Sequence, residues 1–198
     1  KNLSIDAVKS RGYDKIPPHG LIPVTVPGAP SAWAELSKKF GRLSLTEVLQ
    51  PAIDYADQGY PITPTLGKNW NLAYTRYKQI LTGAEFEPWF KTFAPNGRAP
   101  RVGEVWRSEG HSATLRSIAE TNGESFYRGA IAAKIAAFSE HFNGFISKED
   151  LAGYHAAWVE PIKVNYRGYD VWEIPPNGQG LVALLGLNII KGFEFGAK

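Results

Sequence analysis

Apolar residues along most of the chain recur every three or four positions, which predicts amphipathic helices rather than strands. Capping residues and glycines mark the ends of these helices. In Ser44-Leu45-Thr46-Glu47, for example, the Ser hydroxyl and the Glu carboxylate can each bond a free backbone N–H at a helix start. The predicted helices cover residues 4–10, 31–40, 45–58, 73–81, 112–120, 124–142 and 148–154.

Three segments of this helical part carry more specific expectations. Pro51 lies inside the helix 45–58, where its missing N–H predicts a kink or a break. Pro23 limits the β-branched, strand-like segment 21–26 to a sheet edge or an irregular path. The stretch 82–110 is rich in Pro and Gly and is predicted to be mainly loop.

The helix 124–142 has the clearest periodicity of the chain. Its larger apolar residues are spaced for one buried face and comprise Phe126, Ile131, Ile135 and Phe138. We therefore expect this helix to be uninterrupted and to bury these four side chains.

The pattern changes to a period of two only after residue 161. Ile162, Val164 and Tyr166 alternate with polar residues, Arg167-Gly168 is a plausible two-residue turn, and 169–174 returns as a second strand. The fold class is therefore α+β and predominantly helical, with a C-terminal β-hairpin followed by a packing helix. The expected division is a helical region of about 1–158 and a hairpin-plus-helix region of about 159–198.

The segment that follows the hairpin, Pro175-Pro176-Asn177-Gly178-Gln179-Gly180, has two interpretations. With Ala183 it fits the glycine fingerprint of dinucleotide-binding loops, which requires a parallel strand before the first glycine and an acidic residue on the next strand. Here the preceding strand belongs to a hairpin and two prolines separate it from Gly178. The favoured interpretation is a strand-to-helix corner, with glycines where side chains would clash. The helix face expected to pack on the sheet comprises Leu181, Leu184, Leu185 and Ile189.

Composition narrows the function classes. The 198 residues carry a net charge of +3, with acids interleaved among the bases, whereas a nucleic-acid binder gathers its Lys and Arg into a stripe. The absence of Cys excludes disulfides, thiolate metal sites and a Cys nucleophile, and it fits a cytoplasmic as well as a periplasmic or secreted protein. The longest apolar run is too short to span a membrane. A chain that starts at Lys1 and lacks Met is expected to be an internal piece of a longer polypeptide.

Candidate chemistry is sparse. No two of the four histidines have the helical spacing of a zinc pair, and no Ser lies in a G-x-S-x-G elbow. A triad assembled in space stays open, but a structural role is favoured for each of His19, His111, His141 and His155. The sequence therefore assigns no catalytic, cofactor-binding or metal-binding residue, and no cofactor.

Three blocks of the chain resemble the large-subunit portion of the γ-glutamyltransferase (γ-glutamyltranspeptidase) family, which includes cephalosporin-acylase-like members. The blocks lie in the family's order along nearly the whole chain. They are Val24 to Trp33 with Phe40 to Leu43 and Val48 to Ile62, then Phe126 to Ile135 with Gly144 to Leu151, and finally Tyr166 to Tyr169 with Pro175 to Gly180 and Leu187 to Phe193.

This resemblance implies an N-terminal-nucleophile hydrolase with an αββα sandwich, made from a precursor that cleaves itself into two subunits. A Thr at the start of the small subunit attacks a γ-glutamyl or acyl amide, and its own amine acts as the base. The acyl group then passes to water or to an amino acid. The partner implied for this chain is thus the small subunit of the same precursor, and this chain alone is expected to be inactive.

No part of that catalytic machinery is assigned to residues of this chain. None of its threonines is followed by Thr-His, and the substrate-binding Arg implied by the resemblance precedes the region where the chain starts. Arg98 lies in a similar local motif but at the wrong position, so it is interpreted as part of a surface loop. The glycine corner and the Val-Pro-Gly-Ala block are closer to acylase-like members, which leaves the substrate class open. The alternative function is a helical binding or scaffold module without catalytic activity.

Overall fold

The computed structural model describes residues 3–196, and the chain divides into two compact units. The first unit ends at Ala156 and the second begins at Ala157. The first unit consists mainly of helices, which are α1 (Ile5–Lys9), α2 (Ala29–Phe40), α3 (Leu45–Gln58), α4 (Pro64–Ile80), α5 (Glu87–Phe93), α6 (Glu109–Thr121), α7 (Glu124–Arg128), α8 (Ala130–His141) and α9 (Lys148–Ala152). A 3-10 turn (Ala84–Phe86) precedes α5, and the strands β1 (Tyr60–Pro61) and β2 (Val105–Trp106) pair antiparallel.

Helices α3 and α6 pack together at the centre of the first unit. Ile53 and Ile118, on these two helices, are 1% and 2% exposed. The capping box at Ser44 and Glu47 is present, with the Glu47 carboxylate 2.8 Å from the Ser44 backbone N–H. The start of α3 is therefore defined by the capping residues that the sequence identifies.

Pro51 does not break α3, so that part of the expectation is wrong. The helix continues from Leu45 to Gln58. Pro51 cannot donate to the carbonyl of Glu47, but both residues are exposed, and water can satisfy that oxygen. The segment 21–26 forms no strand and follows the irregular path that its proline permits.

The long helix expected over 124–142 is interrupted at Gly129, which separates α7 from α8. A Cβ at Gly129 would lie 2.8 Å from the Cα of Ser125, so the chain passes here with no room for a side chain. The buried face matches the prediction only in part, since Ile135 packs partly buried against it. It carries small residues, Ala132 and Ala136, which pack with Ile146 and Leu151, whereas Phe138 is 36% exposed.

The stretch 82–110 contains a short helix, α5, that composition did not predict. Two tryptophan indoles donate to carbonyls in the last turn of α5: Nε1 of Trp70 to Phe93 at 2.9 Å and Nε1 of Trp106 to Thr92 at 3.2 Å. These oxygens have no partner within a helix. Side chains on α4 and β2 therefore stabilise a short helix within this Pro- and Gly-rich stretch.

Other helix starts also precede their predicted positions. Helix α4 begins at Pro64 rather than Ala73, because Thr63 caps it and Pro64 occupies its first turn. Helix α2 begins at Ala29 rather than Ser31, and again a proline, Pro30, lies in the first turn. Helix α9 begins at the expected Ser147 capping box.

The second unit is the predicted hairpin followed by a helix. Strands β3 (Ile162–Tyr166) and β4 (Tyr169–Glu173) pair antiparallel in the register Val164 to Val171, and α10 (Gly180–Ile190) packs on them. Arg167 and Gly168 have φ of 53° and 89°, the left-handed conformation of a type I′ turn. The hairpin prediction is thus confirmed.

The hydroxyl of Tyr127 joins two of the sequence blocks in the first unit. It donates to the carbonyl of Pro27 at 2.7 Å and accepts the backbone N–H of Ser31 at 3.1 Å. Ser31 Oγ in turn accepts the N–H of Ala156 at 2.9 Å. The start of α2 is therefore fixed to α7 and to the last residues of the first unit.

Replacing Tyr127 by Phe is expected to lower the free energy of unfolding by about 1–3 kcal/mol, because the Ser31 N–H loses its acceptor in a part-buried site. Urea unfolding followed by circular dichroism measures the loss. Tyr169→Phe is the matched control, since Tyr169 is 78% exposed. Equal unfolding midpoints for the two variants would contradict the role of the Tyr127 hydroxyl.

Candidate functional site

The four histidines lie in four separate environments, and the structure does not assemble them into one site. The ring of His19 packs edge-on against Tyr77 with centroids 6.1 Å apart, and the ring of His141 packs against Phe142. His155 lies beside Arg128, whose Nη2 is 3.1 Å from Nδ1 of the imidazole. These contacts agree with structural roles.

His111 is the histidine that contacts a hydroxyl. Its Nδ1 lies 2.7 Å from Oγ of Ser108, and its ring packs edge-on against the rings of both Phe93 and Trp106. Ser108 is, however, the N-cap of α6, and its Oγ also accepts the backbone N–H of His111. A catalytic His needs a third group that orients it, and within residues 3–196 no carboxylate bonds His111. The pair is therefore a helix cap.

A surface groove of about 860 Å³ lies beside His111, between α2, α5 and α6. Lys91 and Arg107 line it, but both cations are already engaged. Lys91 pairs with Glu87 at 3.3 Å, and Nε of Arg107 donates to the Gln58 carbonyl at 2.8 Å. Glu109 also lines the groove, and these side chains do not by themselves identify a substrate.

Arg98 forms a two-pronged ion pair with Glu104, at 2.9 Å and 2.8 Å between guanidinium nitrogens and carboxylate oxygens. The same carboxylate accepts the backbone N–H of Arg101. The hydrogen bonds from Arg98 and then from Arg101 lower the pKa of Glu104 from 4.5 to about 2. Arg98 thus holds together the loop from residue 98 to residue 104 and lies in a loop, as the sequence predicts. Its guanidinium is occupied by Glu104 and is not free to bind a substrate carboxylate.

The glycine corner joins an antiparallel strand to α10, as expected for a strand-to-helix connection. Only one of its glycines is required by packing. A Cβ on Gly180 would lie 2.7 Å from Oε2 of Glu173, whereas a Cβ on Gly178 would meet nothing within 4 Å. The expectation of a clash is therefore correct for Gly180 and wrong for Gly178.

Helix α10 presents apolar side chains in every direction. Leu184 is 5% exposed, but Val182, Leu185 and Ile189 on another face are 61%, 53% and 66% exposed. Asn188 is its one residue with a polar side chain. A helix that is apolar all round is normally buried. We therefore define the outer face of α10 as Val182, Leu185 and Ile189, and it is the candidate functional site of the second unit.

Sequence reasoning assigned Leu185 and Ile189 to the packing face of α10, and the structure corrects this. Of the four residues in that predicted face, only Leu184 is buried. The sequence feature that could have revealed the outer face of α10 is the absence of a polar stripe along this helix. Such a stripe marks the solvent side of ordinary amphipathic helices.

One face of the hairpin carries charged side chains that pair with each other, next to the half-exposed ring of Trp172. Nζ of Lys163 lies 2.6 Å from Oδ2 of Asp170, and the amide of Asn165 donates to the same carboxylate at 3.0 Å. The Lys163 hydrogen bond is the largest cause of a lowered pKa of Asp170. Unlike the outer face of α10, this hairpin face therefore combines apolar and charged side chains.

Among residues 3–196, no group of three or more His, Asp or Glu side chains is arranged to hold a metal ion. Over the same range, no helix has the length and apolar character needed to cross a membrane.

Comparisons with known proteins identify relatives of the whole chain. The family model described as Gamma-glutamyltranspeptidase matches residues 1–198. A glutathione hydrolase-like YwrD proenzyme of Bacillus subtilis is 33% identical over 98% of this chain and 36% of its own length. A glutathione hydrolase proenzyme of Escherichia coli is 31% identical over 85% of this chain and 28% of its own length.

Solved structures give the same relationship. The crystal structure of cephalosporin acylase from Bacillus halodurans has a TM-score of 0.94 and 64% identity, and the match covers 98% of this chain and 36% of that one. The gamma-glutamyltranspeptidase of Helicobacter pylori has a TM-score of 0.79 and 26% identity, over 92% of this chain and 51% of that one. The chain thus spans about a third to a half of the length of these structures.

The Arg98–Glu104 pair predicts how stability depends on acid. Because the pKa of Glu104 is lowered in the folded chain, its contribution is present above pH 4.5 and is lost as the pH falls toward about 2. Glu104→Gln should lower the urea midpoint at neutral pH and flatten its dependence on pH across that window. Glu120→Gln, at an exposed position of α6, should retain the native pH dependence. If both variants behaved alike, the ion pair would not contribute.

Proposed function

The chain belongs to the gamma-glutamyltranspeptidase family, and we propose that it is part of an amide hydrolase or acyltransferase whose nucleophile lies outside these 198 residues. The observation that carries the proposal is the outer face of α10. It leaves apolar side chains in water in a chain that spans 36% of a relative named a proenzyme. The chain supplies scaffold and interface, and a second subunit supplies the reacting group.

The reaction proposed is the one implied by the family resemblance. An N-terminal Thr of the small subunit attacks the carbonyl carbon of a γ-glutamyl or acyl amide, and its own α-amine takes the proton. The α-amine returns this proton to the substrate nitrogen, which leaves as a free amine when the amide C–N bond breaks. The acyl group then passes from the Thr oxygen to water or to an amino-acid acceptor, whose proton restores the Thr hydroxyl. The proposal assigns none of these steps to this chain, where the Ser108 hydroxyl that contacts His111 serves as a helix cap.

The partner proposed for the outer face of α10 is the remainder of the same precursor, including the small subunit. Val182, Leu185 and Ile189 form a stripe that one apolar layer could cover. In this arrangement α10 is a helix layer of an αββα sandwich, and β3 and β4 belong to one of its sheets. Burial on both sides accounts for a helix without a polar stripe.

The substrate proposed is an amide with a γ-glutamyl or another acyl group. Relatives named glutathione hydrolase and relatives named acylase both match this chain at about 30% identity. The solved structure with 64% identity is that of a cephalosporin acylase, which favours acyl amides beyond glutathione. Both substrate types therefore belong in the assay.

The purified chain is expected to release no aniline from a γ-glutamyl anilide and no product from an acyl amide. The complete parent protein should turn over at least one of them, because it supplies the nucleophile. Replacing the N-terminal nucleophile of the small subunit by Ala is the control and should abolish turnover. Activity of the 198-residue chain alone would overturn the proposal that the nucleophile lies on another subunit. An inactive parent would favour the helical scaffold function.

Leu185→Asp is expected to prevent association of this chain with the rest of the parent. An unpaired carboxylate buried in an apolar interface costs about 3–5 kcal/mol. Co-purification through an affinity tag on this chain measures the association. Asn188→Asp is the matched control, because it adds the same charge to α10 at a position that is already polar. Both variants should keep the native circular dichroism. Equal co-purification of the two would exclude the outer face of α10 as the interface.

A further inference from the structure

Four Asn-Gly pairs occur in the chain, at Asn96, Asn122, Asn143 and Asn177. All four Asn side chains are exposed. An Asn followed by Gly is chemically vulnerable, because the Gly nitrogen can approach the Asn side-chain carbonyl without hindrance from a Cβ. Whether it reacts in a folded chain depends on whether that nitrogen is free.

Three of the four Gly nitrogens are held in backbone hydrogen bonds. The N–H of Gly97 donates to Ala94 at 2.8 Å, that of Gly123 to Ile118 at 2.9 Å, and that of Gly144 to Ser139 at 2.6 Å. Each pair lies in a turn or at the end of a helix. The nitrogen cannot reach the Asn carbonyl unless this bond opens first.

The fourth nitrogen, that of Gly178, makes no hydrogen bond within the described residues. Gly178 and Asn177 are both exposed. The backbone of Gly178 does not lie in the left-handed region, and no atom lies within 4 Å of the position of a Cβ. Neither packing nor a hydrogen bond therefore restrains this pair as the other three are restrained.

We propose that Asn177 is a site of spontaneous modification, at which the corner converts to aspartate and isoaspartate. The Gly178 nitrogen attacks Cγ of Asn177, the new N–Cγ bond closes a succinimide, and the side-chain nitrogen leaves as ammonia with the proton from the amide. Water then adds to either imide carbonyl and opens the ring. No oxidant, enzyme or cofactor takes part. The reaction accelerates with pH, because the attacking nitrogen must lose its proton.

The modification changes the corner that leads into α10. Aspartate adds a negative charge three residues before Gly180, where the helix begins, so the net charge falls by one. Isoaspartate also moves one side-chain carbon into the backbone, which lengthens the connection between β4 and α10. The inference depends on the corner alone and stands whether or not the proposed function is correct.

The test is a time course of the folded 198-residue chain at neutral and mildly alkaline pH. Trypsin places the four pairs in different peptides, residues 92–98, 117–128, 135–148 and 168–191, so mass spectrometry follows each separately. Asn177 should convert at least about ten-fold faster than each of the others, a difference equivalent to about 1.4 kcal/mol. Hydroxylamine, which cleaves succinimides, should cut the folded chain after Asn177.

Two controls make the result decisive. In concentrated urea the hydrogen bonds of Gly97, Gly123 and Gly144 are lost, so the four pairs should convert at similar rates. Gly178→Ala should suppress conversion of Asn177 and leave the unfolding midpoint unchanged, because the added Cβ meets nothing within 4 Å. Equal rates at all four sites of the folded chain, or undiminished conversion in Gly178→Ala, would overturn the proposal.

Discussion

The second unit is governed by one constraint, which is that its apolar surface exceeds what a hairpin and a single helix can remove from water. Leu184 is its buried side chain, while Val182, Leu185 and Ile189 remain exposed on the same helix. Burial of such side chains contributes about 1.5–3 kcal/mol each. These exposed side chains gain that energy only if a further apolar layer packs against them. The stability of the second unit is therefore linked to whatever covers this face of α10.

The first unit buries its apolar side chains within itself, and many of the side chains in its core are small. Its largest fully buried side chains are Ile53 and Leu151, and elsewhere alanines allow backbones to approach closely. The sequence blocks shared with the family contribute to this fixation. The hydroxyl of Tyr127 holds the start of α2 through Pro27 and Ser31. Residues of these blocks thus define part of the scaffold of the first unit.

Local signals predicted much of this architecture, and long-range contacts account for what they missed. The capping boxes at Ser44 and Ser147 and the turn at Arg167-Gly168 depend on neighbouring residues, so the sequence displays them. The interruption at Gly129 and the outward direction of Leu185 depend on which surfaces meet in space. For the same reason the sequence pattern assigned Leu185 and Ile189 to the packing face of α10, although both are exposed.

The two tryptophan indoles at the end of α5 have a consequence for how the first unit opens. A helix of seven residues does not persist in water by itself. Trp70 comes from the helix before α5, and Trp106 comes from the strand after it. Separating either element removes a donor from the last turn of α5. Residues 64–106 should therefore exchange their amide hydrogens as one cooperative block, with its slow exchange set by two indoles rather than by the helix itself.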